Sequence, residues 1–102
     1  MRQFDAYTNP SPEARQIAPF LVVLSSHHLH GLPNVTVAPA VNDAEKALGD
    51  LELDVVIQDE PVTLVISELF SLPASVLRRR VGSLAEHEDD IRRALDRLFT
   101  GF

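Results

Sequence analysis

Phe20-Leu21-Val22-Val23-Leu24 is an uninterrupted apolar run that directly follows Pro19. A run this short, with adjacent branched valines, is typical of a β-strand that is buried on both faces. We therefore expect this segment to form the central strand of a sheet.

The segments on either side of this run predict its neighbours in the sheet. Phe4-Asp5-Ala6-Tyr7 alternates as a half-buried strand does, and the two prolines of residues 9–12 end it. The alternation returns at Val35-Thr36-Val37-Ala38 until Pro39 ends it. Between the two strands of this hairpin, His27-His28-Leu29-His30-Gly31 predicts a tip that carries histidines.

A second hairpin follows further along the chain. Leu53–Ile57 and Val62–Ile66 are rich in branched residues and flank a four-residue connection, Gln58-Asp59-Glu60-Pro61. Residues 43–48 predict either a single helical turn or an ordered loop, and residues 69–73 predict a turn.

The last segment of the chain has the clearest helical pattern. Ser83-Leu84-Ala85-Glu86 has the form of a capping box, in which the serine hydroxyl accepts a hydrogen bond from an early helical amide. Apolar residues then recur at steps of three and four and predict one buried stripe: Leu84, His87, Ile91, Ala94, Leu95 and Leu98.

The polar face and the end of this helix are also specified. Glu88 with Arg92, and Asp89 with Arg93, have the i,i+4 spacing of helical ion pairs. Gly101 is placed as a helix terminator. After it comes Phe102, a bulky apolar residue at a chain end, which predicts that another molecule covers it.

Length and composition bound the class of protein. The 102 residues, 45% of them hydrophobic and 24% charged, predict one globular domain. No apolar run approaches the roughly 18 residues of a membrane span, and the first residues lack a signal-peptide pattern, so we expect a cytoplasmic protein without a membrane partner. The absence of cysteine fits a reducing compartment. The net charge of −6 disfavours direct nucleic-acid binding, which needs a basic surface.

The sequence shows no motif for catalysis. His27, His28 and His30 lack the spacing of a known zinc site, so a solvated or interface role is favoured over a metal. No serine lies in a nucleophile elbow, and the carboxylates are expected on exposed faces. Arg78-Arg79-Arg80 predicts a solvated or acid-paired surface, with a phosphate grip as the alternative. These patterns predict a protein that is not an enzyme and that uses no metal or cofactor.

Several of these segments, in order along nearly the whole chain, resemble the CcdB family of toxins. They are Gln3-Phe4 with Tyr7, the strand after Pro19, Val37-Ala38-Pro39, residues 71–77 and residues 90–102. The most specific portion is the helix that ends in Phe99-Thr100-Gly101-Phe102.

The resemblance implies a fold, partners and an activity. The expected fold is mainly β with an SH3-like barrel, shared by CcdB and MazF toxins, whose twisted antiparallel sheet precedes a C-terminal α-helix. A homodimer is expected. Toxins of this family act in plasmid maintenance by binding the A subunit of DNA gyrase and trapping this topoisomerase on cleaved DNA, and a CcdA-like antitoxin neutralises them.

The resemblance also implies the gyrase-binding residues, and it assigns no antitoxin contacts. They are His28, Leu29, Asp96, Phe99, Thr100, Gly101 and Phe102. Two of them depart from the family pattern. Thr100 replaces a tryptophan and loses its aromatic contact area, and His28 replaces an aliphatic residue and would make that contact depend on its charge.

Two other functions are compatible with the same residues. The chain could be a homologue that binds an antitoxin but has weak or lost gyrase poisoning, as Thr100 and His28 suggest. The more remote alternative is an endoribonuclease of the MazF type, in which the arginines at 78–80 would hold RNA phosphate.

Overall fold

Seven antiparallel strands and one α-helix form the described part of this computed structural model, which is residues 1–26, 33–42 and 49–101. The strands are β1 (Asp5–Thr8), β2 (Phe20–Val23), β3 (Asn34–Val41), β4 (Glu52–Ile57), β5 (Glu60–Val65), β6 (Phe70–Pro73) and β7 (Arg80–Ser83), and helix α1 spans Glu88–Thr100. Their spatial order is β4-β5-β3-β2-β1-β7, with β6 paired to β3. The sheet curls into a half-barrel and the helix follows it, which confirms the predicted mainly-β fold with a C-terminal helix.

β2 lies inside the sheet, between β1 and β3, as predicted. All four of its side chains are buried. Phe20 and Val22 belong to the larger apolar cluster, which includes Ile91 of the helix, whereas Leu21 and Val23 belong to a second cluster. Because successive side chains of a strand point to opposite faces, the two clusters cover the two faces of β2.

β3 is longer than the sequence predicts, because Pro39 lies within it and does not end it. One edge of β3 pairs with β2, and the other pairs with β6 up to Val37 and with β5 from Ala40 onward. The Thr36 carbonyl faces β2, so alternation directs the Pro39 nitrogen to the opposite edge, into the gap between the β6 and β5 pairings. A missing N–H is tolerated there.

The antiparallel pairing of β2 and β3 is confirmed, and the histidine-bearing tip lies outside the described residues.

The predicted second hairpin is present, with a shorter connection than expected. Ile57 pairs with Glu60, so only Gln58 and Asp59 form the turn. Their φ angles of 52° and 64° are both positive, as in the type I′ turn that suits the twist of a two-residue hairpin. The prediction of a four-residue connection was wrong, because Glu60 and Pro61 belong to β5. Residues 43–48, predicted as a helical turn or loop, lie outside the described part.

Two strands in the C-terminal half differ from the sequence-based expectation. Residues predicted to form a turn make β6, which pairs with the first half of β3 from Asn34↔Pro73 to Val37↔Phe70. The third arginine of the 78–80 run begins β7, which pairs with β1. Both strands are only four residues long. They depend on partners distant in sequence, and no local alternation marks them.

The first strand also departs from its half-buried pattern. Phe4 precedes β1 in a left-handed conformation, with φ of 73°. Its amide donates to the Val23 carbonyl at 2.7 Å, and its carbonyl accepts from the Leu84 amide at 2.8 Å. The ring is buried, and the Arg92 guanidinium lies over it at 5.9 Å from the ring centre. These contacts hold an unusual backbone conformation at the point where the chain enters the sheet.

The helix begins later than the capping box predicts. Ser83 ends β7, and its hydroxyl accepts from the Ala85 amide, two residues ahead, at 3.1 Å. A 3-10 turn at Ala85–His87 then leads into α1 without a side-chain cap. The predicted capping box was therefore wrong, because Ser83 is committed to the sheet.

The buried stripe of the helix is confirmed. Leu84, Ile91 and Ala94 are buried in the larger cluster, and Leu95 and Leu98 pack against it. The other member of the stripe, His87, is partly buried.

The polar face of the helix agrees with the sequence in one of its two ion pairs. Glu88 and Arg92 form the predicted pair at 3.0 Å. Arg93 pairs with Asp90 at 3.1 Å and not with Asp89 as predicted, because the i,i+3 position is also within reach on a helix.

Within the described residues, no helix is both long enough and apolar enough to cross a membrane.

Replacing Ile91 by alanine should test how strongly the helix holds the fold. Ile91 is fully buried, so Ile91→Ala should lower the free energy of unfolding by about 2–5 kcal/mol through lost burial and the cavity left behind. Denaturant unfolding measures this change. The control is Arg93→Ala on the exposed face, which should change stability by less than about 0.5 kcal/mol. Equal stabilities of the two variants would contradict the packing described.

Candidate functional site

The last turn of α1 brings four of the predicted gyrase-binding residues together. Asp96, Phe99, Thr100 and Gly101 are all exposed there. The helix positions them by its periodicity, because Leu95 and Leu98 on the adjacent face pack against the core. The same turn therefore anchors one face of the helix and presents the other to solvent.

Phe99 is the most exposed large apolar side chain among the described residues, with 71% of its surface accessible. Covering an exposed phenyl ring with another protein surface removes apolar area from water and is therefore favourable. The ring takes no part in packing the helix against the sheet, because other residues of the helix form the buried stripe. This is the property expected of a contact residue for another protein.

Thr100 and Gly101 shape the end of the helix. The Thr100 hydroxyl donates to the Asp96 carbonyl, so its small side chain folds back on the helix. Gly101 has φ of 77°, and its amide donates to the Arg97 carbonyl at 3.0 Å, which confirms its predicted role as terminator. The chain leaves the helix directly after Phe99 and Thr100.

An ion pair ties this end of the helix to the body of the protein. The Arg97 guanidinium lies 2.9 Å from the Asp50 carboxylate, just before β4. Both side chains are half-exposed or more, so the contribution of the pair to stability is small. The pair joins the last helical turn, next to Asp96, to the segment that leads into β4.

The other predicted contact residues cannot be placed beside this turn. His28, Leu29 and Phe102 lie outside the described residues, so their proximity to Phe99 stays a prediction. The same holds for the histidine cluster at 27–30. Among the residues that the structure describes, no group of three or more histidine, cysteine or carboxylate side chains is arranged to hold a metal ion.

The arginine run divides into two parts. Arg80 forms an ion pair with Asp5, with Nε and Oδ1 3.2 Å apart, which agrees with the predicted acid-paired surface. Asp5 is 3% exposed and also accepts a hydrogen bond from the Arg2 amide at 3.0 Å. The expectation that the carboxylates lie on exposed faces was therefore wrong at Asp5. The β1–β7 pairing, which sequence patterns did not reveal, is what brings these groups together.

Arg78 and Arg79 are exposed and line a groove of about 410 Å³ that the sequence did not predict. Its third basic member is Arg15, from the connection between β1 and β2. The Arg15 Nε donates to the Asn9 carbonyl at 2.9 Å. Only the tertiary fold joins these positions, since more than 60 residues separate Arg15 from Arg78 in sequence.

Tyr7 of β1 has an altered acidity. Burial raises the pKa of its hydroxyl above the ordinary 10.0, the nearby Asp5 carboxylate raises it further, and Arg80 partly offsets both. The ring packs in the second apolar cluster with Leu21 and Val37. Tyr7 therefore stays neutral over the physiological range and acts as a core residue.

Solved structures of bacterial toxins share this architecture. The Mycobacterium tuberculosis toxin MazF-mt6 is 25% identical in sequence, with a TM-score of 0.65 over 82% of this chain and 93% of that one. A second structure, described as an Mtb toxin, is 26% identical, with a TM-score of 0.66 over 82% and 97% of the two chains. An endoribonuclease from a mycobacterial species, solved with its cognate antitoxin, has a TM-score of 0.72 over 96% and 93% but only 9% identity, so that likeness is one of fold.

The family follows from the sequence itself. The model of the CcdB protein family matches residues 3–101, which is nearly the whole chain. This protein belongs to the CcdB family, and the predicted resemblance is confirmed. No curated protein matches the chain in sequence.

Removing the guanidinium of Arg80 should destabilise the fold by leaving Asp5 buried without its partner. We expect Arg80→Ala to cost about 1–3 kcal/mol, less than at a fully buried pair because half of the Arg80 side chain is exposed. Arg79→Ala is the matched control, because that side chain makes no ion pair within the described residues, and it should cost less than about 0.5 kcal/mol. Thermal unfolding of the two variants compares them, and a larger loss for Arg79→Ala would refute this assignment.

The single tyrosine allows its titration to be followed directly. Tyrosinate absorbance of the folded protein should rise with a midpoint above pH 10.0, and the midpoint should return to about 10 in denaturant. Because the folded pKa is the higher one, the stability contribution is complete below about pH 10 and is lost as the pH rises towards the folded pKa. Tyr7→Phe should abolish this part of the alkaline destabilisation. A folded midpoint at or below 10 would show that the hydroxyl is solvated.

Proposed function

We propose that this protein is the toxin of a type II toxin–antitoxin module, that it binds the A subunit of DNA gyrase and traps the enzyme on cleaved DNA, and that a CcdA-like antitoxin neutralises it. Membership of the CcdB family over residues 3–101 supports the proposal. So does the fold shared with solved toxin structures, one of which was determined with its antitoxin.

The observation that carries the gyrase contact is the exposure of Phe99 at the end of an anchored helix. Ile91 and Ala94 fix α1 against the sheet, so the terminal turn is presented on a rigid element. A rigid aromatic side chain loses little conformational entropy on binding and can fill a pocket in a partner. Asp96, Thr100 and Gly101 form the polar margin of this surface.

His28, Leu29 and Phe102 complete the proposed contact surface. In a homodimer, the second copy would bring an equivalent set of residues, and the two sets together would form one larger apolar patch across the two-fold axis. Thr100 contributes little apolar area to this patch, which makes Phe99 the main aromatic contact on each helix. In this proposed mode of action the protein catalyses no reaction, because it acts by holding gyrase in a conformation in which the DNA stays cleaved.

Two alternatives predict different outcomes on expression. A homologue that binds the antitoxin without poisoning gyrase would leave its host growing normally. An endoribonuclease of the MazF type would cut messenger RNA, and Arg78 and Arg79 would be its phosphate-binding groups, since Arg80 is engaged with Asp5. Growth arrest with intact RNA would exclude both alternatives.

Phe99→Ala should separate gyrase binding from folding. We expect binding to the gyrase A protein of the host to weaken roughly 30-fold, corresponding to about 2 kcal/mol for a central aromatic contact. The free energy of unfolding should change by less than about 0.5 kcal/mol because the ring is mostly in solvent. Binding is measured with purified gyrase A, and poisoning by the accumulation of cleaved plasmid.

The matched control is Ile17→Ala, which removes an equally exposed apolar side chain, 69% accessible, from the connection before β2. It should leave gyrase binding unchanged. The proposal is wrong if the unmodified chain produces no cleaved plasmid with the gyrase of its own host. It is also wrong at Phe99 if both variants bind gyrase equally well.

A further inference from the structure

A basic groove lies between the β1–β2 connection and the segment that leads into β7. It holds about 410 Å³ and is lined by Thr8, Asn9, Pro10, Arg15, Val76, Arg78 and Arg79. No acidic side chain of the described residues lines it, although the chain carries 15 acidic residues against 9 basic ones. The groove is therefore a local concentration of positive charge on an acidic protein.

In the described part of the chain, the ion pairs do not involve the arginines of this groove. Arg80, Arg92, Arg93 and Arg97 each pair with a carboxylate. Within residues 1–26, 33–42 and 49–101, Arg15, Arg78 and Arg79 have no acidic partner. Guanidinium groups that lack internal partners are available to bind external carboxylates or phosphates.

One wall of the groove is held in place before any ligand arrives. The buried Asn9 side chain donates to the Ala18 carbonyl at 2.9 Å and accepts from the Ser11 amide at 3.0 Å. The Arg15 Nε donates to the Asn9 carbonyl, so the guanidinium has a fixed attachment while its two terminal nitrogens make no hydrogen bond in the described structure. Such preorganisation lowers the entropy cost of binding.

We propose that this groove binds an extended acidic peptide, and, resting on the proposed function, that the peptide is a carboxylate-rich segment of the antitoxin. The planar guanidinium groups match carboxylates in bidentate geometry. Val76 is 38% exposed and, with Pro10, offers apolar surface for an aliphatic side chain between the acidic residues. The groove is formed by residues other than those of the proposed gyrase surface.

RNA fits the same groove less well. The described residues that line it include no aromatic side chain on which a base could stack. The net charge of −6 also opposes the approach of a long polyanion, whereas a short peptide interacts mainly with the local charge. These two features favour the peptide over a nucleic acid.

The test uses the full chain and a short fluorescent peptide of alternating Asp and Val residues, followed by anisotropy at low salt. The peptide should bind the unmodified protein, and affinity should fall as salt is raised. The double variant R78A/R79A should bind it about fivefold more weakly or worse, as expected for the loss of two exposed charge contacts. Arg93→Ala, outside the groove, should bind within about twofold of the unmodified protein.

Two further probes distinguish the ligand classes. A peptide of alternating Asn and Val should not bind, because it lacks carboxylates. A single-stranded oligoribonucleotide of the same length should bind more weakly than the acidic peptide. Tighter binding of the oligoribonucleotide, lost in R78A/R79A, would overturn the proposal in favour of nucleic acid.

Equal binding of the acidic peptide by the unmodified protein and by R78A/R79A would overturn the groove assignment. Thermal unfolding of the double variant serves as the folding control, and Arg15→Ala is the second variant if its midpoint falls. The peptide assay contains no gyrase. A chain that binds the peptide through Arg78 and Arg79 but does not poison gyrase would therefore refute the proposed function and leave this groove assignment standing.

Discussion

Burial of both faces of β2 is the constraint on which the rest of the structure depends. Its side chains alternate between two apolar clusters, so each face of the sheet needs its own cover. Leu84, Ile91 and Ala94 cover one face, and Leu72 and Leu77 contribute to covering the other. The C-terminal half of the chain supplies both covers. For this reason the helix that presents Phe99 is also part of the core.

Patterns that a short segment carries by itself predicted the corresponding elements well. The apolar run of β2, the branched residues of β4 and β5, and the three-and-four spacing of α1 each specify an element without reference to a distant partner. Elements that depend on a distant partner were missed. β6 and β7 exist because β3 and β1 offer free edges to them, and Pro39 is tolerated because its nitrogen meets a gap between two neighbours. None of these conditions is visible locally.

The same division applies to the candidate sites. The resemblance to the CcdB family supplied Asp96, Phe99, Thr100 and Gly101 as a group, and the end of one predicted helix placed them close together. Asp5 and Arg80 were not, because only the β1–β7 pairing makes a buried acid and an arginine neighbours. The basic groove likewise needs the connection after β1 to lie beside the segment before β7. At Ser83 the local pattern predicted a helix cap, but the residue pairs with Asp5 of β1 as the last residue of β7.

The exposed last turn of α1 is free to change in sequence without damage to the interior. Side chains at positions 96, 99 and 100 are exposed and lie outside the apolar cluster, so their replacement changes the chemistry of the surface and leaves the packing beneath it intact. Gly101 is the exception, since a residue with a side chain would be strained at its positive φ. For the proposed gyrase contact this means that single substitutions at these three positions would tune the affinity for the partner while the helix that carries them stays folded.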